Sequence, residues 1–223
     1  MPLQPTVVVL DVNETLSDMR PMARRFRDVG APEHLARLWF ATLLRDGFAL
    51  TAAGTRPTFA DLGVDALRTV LAGVDLDRDR EAAVEHVMSG FSELGLHPDV
   101  AEGLRALRSA GYRLVTLTNG AAQVSEQLLA GAGVRDQVER LISVDDAEAW
   151  KPARAAYEHA ARVCEVPLAE MLLVAAHPWD VDGAARAGLS TAYVDRTGAP
   201  YPASFTAPDL VVTGLGDLAA RLG

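Results

Sequence analysis

The stretch Thr6-Val7-Val8-Val9-Leu10-Asp11-Val12-Asn13-Glu14-Thr15-Leu16 decides how this chain is read. It opens as a continuous apolar run rich in β-branched residues and turns polar at Asp11. Continuous runs, unlike alternating ones, suit strands buried on both faces, the mark of a parallel sheet. The same design returns at Leu114-Val115-Thr116-Leu117, Leu141-Ile142-Ser143-Val144, Met171-Leu172-Leu173-Val174 and Thr191-Ala192-Tyr193-Val194, with Leu210-Val211-Val212 as an added edge strand. Helical patterns lie between these runs. One extends from Pro98-Asp99 to a glycine stop at Ala110-Gly111. Another covers residues 153–163, with Pro152 in a first turn, where proline is tolerated. A third begins at Asp180 and closes at Ala187-Gly188. Alternating strands and helices predict a doubly wound α/β core with a parallel sheet.

Residues 17–97 break that alternation. Their patterns are helical over residues 33–53, 59–72 and 80–94, and no strand stands out. The division expected is a core of residues 1–16 and 98–223, with a helical cap of residues 17–97 inserted after the first strand. Inserts at that point lie over the strand ends where open α/β sheets bind ligands, which favours a lid over a subdomain that only enlarges the core.

The chain has 223 residues, enough for one core domain carrying a smaller lid. Its 49% hydrophobic and 23% charged content excludes disorder, collagen and coiled coil as the main architecture. No apolar run approaches the ~18–20 residues that span a bilayer. Residues 1–6 carry no charged, apolar leader pattern, and Cys164 is the one cysteine. A cytoplasmic protein without disulfides is expected. A net charge of −9 argues against binding nucleic acid or anionic membranes, and leaves a small-molecule substrate as the expected partner. An apolar lid face would also suit a homodimer.

Polar residues follow the strands one after another: Asp11, then Thr118-Asn119-Gly120, then Lys151, then His177 and Asp180. Parallel strands deliver all of these to one sheet edge. A carboxylate beside a lysine and a second carboxylate forms a plausible nucleophilic site. The set resembles the haloacid dehalogenase superfamily, with its first motif at Asp11-Val12-Asn13-Glu14-Thr15-Leu16, its second at Thr118, its third at Lys151-Pro152 and its fourth from Ala176 to Asp180. Phosphatases of that superfamily resemble Asp-x-Asp at the first motif, where the second aspartate is the acid/base. Asn13 stands there, and an amide cannot shuttle a proton as a carboxylic acid does. The acid they place four residues before Asp180 is Ala176, which leaves a magnesium shell one carboxylate short.

The type II 2-haloacid dehalogenase branch is the nearer resemblance. It is carried by Leu117-Thr118-Asn119-Gly120, Lys151-Pro152 with Tyr157, Leu38-Trp39, Trp179-Asp180 with Gly183-Ala184, and Asp195-Arg196-Thr197-Gly198. The resemblance implies that Asp11 attacks the substrate Cα, expels halide and is regenerated by water, with no cofactor or metal. It implies that Lys151 holds Asp11 ionised and that Asp180 positions Lys151. Thr15 and Thr118, with N–H groups around Val12, would meet the substrate carboxylate or an oxyanion. Asn119 would donate to the halide, and Trp39 and Phe40 would form an apolar wall.

The pattern also departs from that branch. Phe40 stands where the branch has an arginine, Asn13 where it has a tyrosine, Glu14 where it has a glycine, and Ala175 and His177 where it has serine and asparagine. Arg45 and Arg56 are alternative cations. His177 either assists water or bonds to backbone, Tyr157 either bonds into the site or packs, and Cys164 reads as core. Three other functions stand beside dehalogenation: a phosphatase with a degraded motif, hydrolysis of another electrophilic carbon such as a strained-ring carboxylate, and a binding protein on an inactive scaffold.

Overall fold

The computed structural model describes residues 5–223. Residues 1–4, part of the segment read above for a leader, lie outside that range. The described residues form a six-stranded, all-parallel sheet in the order β3-β2-β1-β4-β5-β6. Its strands are β1 (Val7–Leu10), β2 (Arg113–Thr118), β3 (Arg140–Ser143), β4 (Met171–Ala175), β5 (Ser190–Val194) and β6 (Leu210–Val212). Connections leave β1 toward β2 and β3 on one side. The later strands build outward from β4 on the other. The direction of winding therefore reverses between β1 and β4, where doubly wound sheets bind their ligands.

The chain divides into two compact units, Met1–Ser17 with Gly95–Gly223, and Asp18–Leu94. The second is helical: α1 (Met22–Arg27), α2 (Leu35–Ala52), α3 (Phe59–Val70) and α4 (Arg80–Ser92). Thr58 and Asp79 cap α3 and α4 by accepting the N–H groups of Asp61 and Ala82. Such caps are each worth about 1 kcal/mol. The aromatic rings of Phe26, Trp39, Phe40, Phe59 and Phe91 form this unit's own cluster. Helix α1 was not marked by any pattern in the sequence, because one and a half turns carry too little periodicity.

The sheet unit also contains α5 (Val100–Ser109), α6 (Ala122–Gly131), α7 (Arg154–Cys164), α8 (Pro178–Ala187) and α9 (Leu215–Leu222). Val8, Leu10, Leu114, Leu172, Val174 and Val194 pack on one face with Leu104 and Leu107 of α5 and Leu215 and Leu218 of α9. The alternating partners Val7, Val9, Val115 and Leu173 are equally buried, so both faces are covered. Full burial of each such side chain is worth about 1.5–3 kcal/mol. Two helix starts differ from the sequence reading. Pro152 precedes α7, which starts at Arg154 after the extended Ala153. Helix α8 starts at Pro178, two residues before Asp180, because proline's fixed φ suits a first turn. Among the described residues, no helix is long and apolar enough to cross a membrane.

Candidate active site

The parallel register aligns the strand ends. Leu10 pairs with Thr116 on one side and Val174 on the other, and Thr118 pairs with Ser143. Asp11, Thr118-Asn119 and His177 therefore leave the sheet at one edge. Lys151 arrives beyond β3, after a short 3-10 turn at Val144–Asp146. Its segment is fixed by Asn119, whose amide accepts from the Lys151 N–H (2.9 Å) and donates to the Lys151 carbonyl (3.2 Å). The structure thus gives Asn119 a definite partner in the lysine backbone, where the sequence had offered it to halide. Thr118 Oγ1 accepts from the Gly120 N–H (3.0 Å) and closes the same turn.

Lys151 is fully buried and ion-paired twice. Its Nζ donates to Asp11 Oδ1 (2.8 Å) and to Asp180 Oδ2 (2.6 Å). The other oxygen of Asp180 accepts from Tyr157 Oη (2.6 Å), so Tyr157 bonds into the site and does not merely pack. Asp11 Oδ2 accepts from Thr15 Oγ1 (2.6 Å), and Thr15 Oγ1 in turn accepts from the Ala176 N–H (2.9 Å). His177 completes the shell. Its Nδ1 lies 3.2 Å from Asp11 Oδ2 and its Nε2 2.9 Å from Glu14 Oε2, with the ring stacked on Trp179. The Trp179 ring also lies 5.9 Å from Lys151 Nζ. Val12 and Asn13 are buried in the loop, and the Val12 carbonyl accepts from the Leu16 and Ser17 N–H groups.

The electrostatics follow from this packing. Burial by itself would raise the Asp11 carboxyl, but the Lys151 charge and the His177 bond reverse that and hold it well below its usual range. Burial would lower His177, yet bonds to Asp11 and Glu14 lift it from 6.5 to about 9. Burial raises Asp180, and the neighbouring Asp11 charge adds to this against the pull of Lys151. Burial beside Asp180 pushes the Tyr157 phenol well above 10, which keeps it a neutral donor. Asp11 is therefore an ionised, oriented carboxylate in a largely dry setting.

Trp39 and Phe40 belong to the helical unit. Trp39 is fully buried and donates its indole N–H to the Gly63 carbonyl (2.9 Å), so its polar edge is committed to that unit. Arg45 pairs with Asp46 on an exposed surface. Cys164 is buried, and its thiol is raised by burial.

Glu14 was the residue that sequence reasoning missed. It is one of two non-glycine residues with positive φ among the described residues, at +60°. That conformation costs about 1 kcal/mol or more outside glycine. Two ionisable replacements at the ends of adjacent strands, Glu14 and His177, were the available signal.

Magnesium, which the phosphatases of this fold use, does not fit these residues. Ala176 stands where an acid is needed, and Lys151 already bridges Asp11 and Asp180. Among the described residues, no group of three or more His, Cys, Asp or Glu side chains is arranged to hold a metal.

An ionised aspartate at the end of β1, a lysine beyond β3 and an acid in α8 meet at one edge of a doubly wound sheet. A family model for haloacid dehalogenase-like hydrolases matches residues 5–188, and the chain belongs to that family. It is similar to (S)-2-haloacid dehalogenase 4A of Burkholderia cepacia, with 31% identity over 94% of this chain and 91% of the relative. Among solved structures, it is similar to a dehalogenase with an intermediate complex (TM-score 0.91, 28% identity, 100% of this chain and 99% of that one). It is also similar to L-2-haloacid dehalogenase from Xanthobacter autotrophicus with covalently bound chloropropionic acid (TM-score 0.87, 27% identity, 97% of each chain).

Proposed function

We propose that the protein is a metal-independent hydrolase that releases halide from small (S)-2-haloalkanoic acids through an ester on Asp11. The observation that carries this reading is the Asp11 carboxylate held ionised by Lys151 and oriented by Thr15. Two comparisons support the chemistry: the Burkholderia cepacia relative is named for (S)-2-haloacids, and one solved relative carries chloropropionic acid covalently bound.

In the first step an Asp11 oxygen attacks Cα from the side opposite the halogen. A C–O bond forms, the C–X bond breaks, and its electron pair leaves as halide. Configuration at Cα inverts. In the second step water adds to the Asp11 Cγ, and the acyl C–O bond breaks to release a 2-hydroxy acid and the original carboxylate.

His177 is suited to that second step. Its proton in the free enzyme is held partly by the Asp11 charge. Esterification removes that charge, so the imidazole becomes a base just when water must be activated. The imidazolium first gives its proton to solvent; the imidazole then takes one proton from water and returns it to the leaving alkoxide, and water's second proton, released as the Asp11 carboxyl ionises, recharges His177. Glu14 fixes the ring and stabilises the imidazolium that forms.

The test is halide release from (S)- and (R)-2-chloropropionate beside phosphate release from p-nitrophenyl phosphate, before and after EDTA. Chloride from the S acid alone, undiminished by chelation, is expected. Magnesium-dependent phosphate release without chloride would overturn the reading.

A further inference from the structure

The nucleophile loop is gripped by two side chains at successive backbone carbonyls. The Glu14 carbonyl accepts from His97 Nε2 (3.1 Å), and the Thr15 carbonyl accepts from Arg196 Nη2 (2.8 Å). A carbonyl only accepts, so Nε2 of His97 carries the proton. The His97 N–H also donates to the Leu16 carbonyl (2.9 Å), and Ser17 and Leu96 form an antiparallel bridge beside it. Arg196 is anchored at its far end, where Nη1 donates to Asp99 Oδ1 (2.6 Å). Asp99 Oδ2 accepts from the Leu215 N–H (2.9 Å), which ties the arrangement to the start of α9.

We infer that His97 and Arg196 are positioning residues for the two chemical steps, His97 acting through Glu14 and Arg196 through Thr15. The inference rests on the mechanism proposed above and adds two residues remote in sequence from the loop they hold. Glu14 holds a backbone conformation that glutamate rarely adopts, at φ +60°. Such a conformation persists only when surrounding bonds over-determine it. The His97 bond to its carbonyl is one such constraint. With the backbone fixed there, the Glu14 carboxylate is aimed at His177 Nε2. Arg196 fixes the next residue, whose hydroxyl orients Asp11 Oδ2. One clamp therefore serves the water-activating pair, and the other serves the nucleophile.

The two assignments predict different kinetic defects. Loss of His97 releases Glu14, and His177 then lacks its orienting carboxylate. The ester should form at near-normal rate and hydrolyse slowly. With (S)-2-chloropropionate, rapid quench of His97→Ala should show a chloride burst of one equivalent per site, followed by turnover reduced about tenfold or more. His97→Gln keeps an N–H donor on a flexible stem and should restore much of the second step. Loss of Arg196 slows ester formation, so Arg196→Met should show no burst and a similarly reduced first step. Arg196→Lys should recover part of it.

The companion measurement needs no turnover. An NMR titration follows His177, which faces Asp11 and Glu14 on its two nitrogens, with Trp179 stacked on the ring and Lys151 and Asp180 beyond Asp11. Its value, about 9 in the intact protein, should fall both in His97→Ala and in Glu14→Gln, and should hold in Arg196→Met. If His97→Ala does not fold, His97→Asn, whose amide is too short to reach, takes its place. An unchanged His177 titration together with unchanged burst kinetics in folded variants would overturn the clamp. Absence of chloride release from the wild type would sink the dehalogenase reading alone, since the titration still decides whether His97 holds Glu14.

Discussion

Lys151 places one positive charge between two buried carboxylates, and the rest of the site depends on it. Lys151→Met keeps most of the aliphatic stem and removes the ammonium. Turnover should fall at least about 10²-fold, and stability at neutral pH by about 3–5 kcal/mol, because Asp11 and Asp180 are left without their counter-ion. Steady-state kinetics and urea unfolding check both. His177 makes the opposite kind of prediction. Its folded value lies above the ordinary 6.5, so its stabilisation is complete below that pH and is lost as pH rises through about 9. The stability advantage of wild type over His177→Asn should shrink by at most about 3 kcal/mol across that window. Parallel denaturant curves at several pH values measure it. An advantage that grows with pH would mean that His177 is neutral in the free enzyme.

At the scale of elements, α8 is brought against the lysine segment by a glycine. A Cβ at Gly183 would lie 2.5 Å from Pro152 Cβ and 2.7 Å from Tyr157 Oη. Gly183→Ala must therefore push α8 away from Pro152 and Tyr157, and Asp180 rides on the same helix. We expect a stability loss of about 1–3 kcal/mol from overpacking and a kcat loss larger than any change in KM. Thermal unfolding and kinetics of the variant test this.

The sheet was legible in the sequence because runs such as Val7-Val8-Val9-Leu10 and Met171-Leu172-Leu173-Val174 are apolar at every position. Asp11, Lys151 and Asp180 were legible because each follows such a run. Helix starts were less so, since Pro152 and Pro178 both suit a first turn and only backbone geometry separates them. Glu14 and His177 were legible only as two separate departures from the branch's pattern, not as a pair. Its members lie 163 residues apart, and the left-handed turn that aims Glu14 leaves no mark in composition.

For the molecule as a whole, the winding reversal between β1 and β4 sets where the proposed chemistry is placed. Asp11 follows one of these strands and His177 the other, while Thr118 and Lys151 come from the neighbouring pair. The sheet supplies a rigid frame, and short polar loops carry the groups proposed to react, an arrangement that suits preorganised electrostatics.

The proposed function depends on Asp11 forming a covalent ester that water cleaves at the carboxyl carbon. The direct test is one turnover of (S)-2-chloropropionate by excess enzyme in heavy-oxygen water, followed by mass analysis of the Asp11 peptide and of the product. Heavy oxygen is expected in Asp11, with unlabelled lactate of R configuration. Heavy oxygen in the lactate of that first turnover, with Asp11 unlabelled, would contradict it, because water would then have attacked the substrate itself.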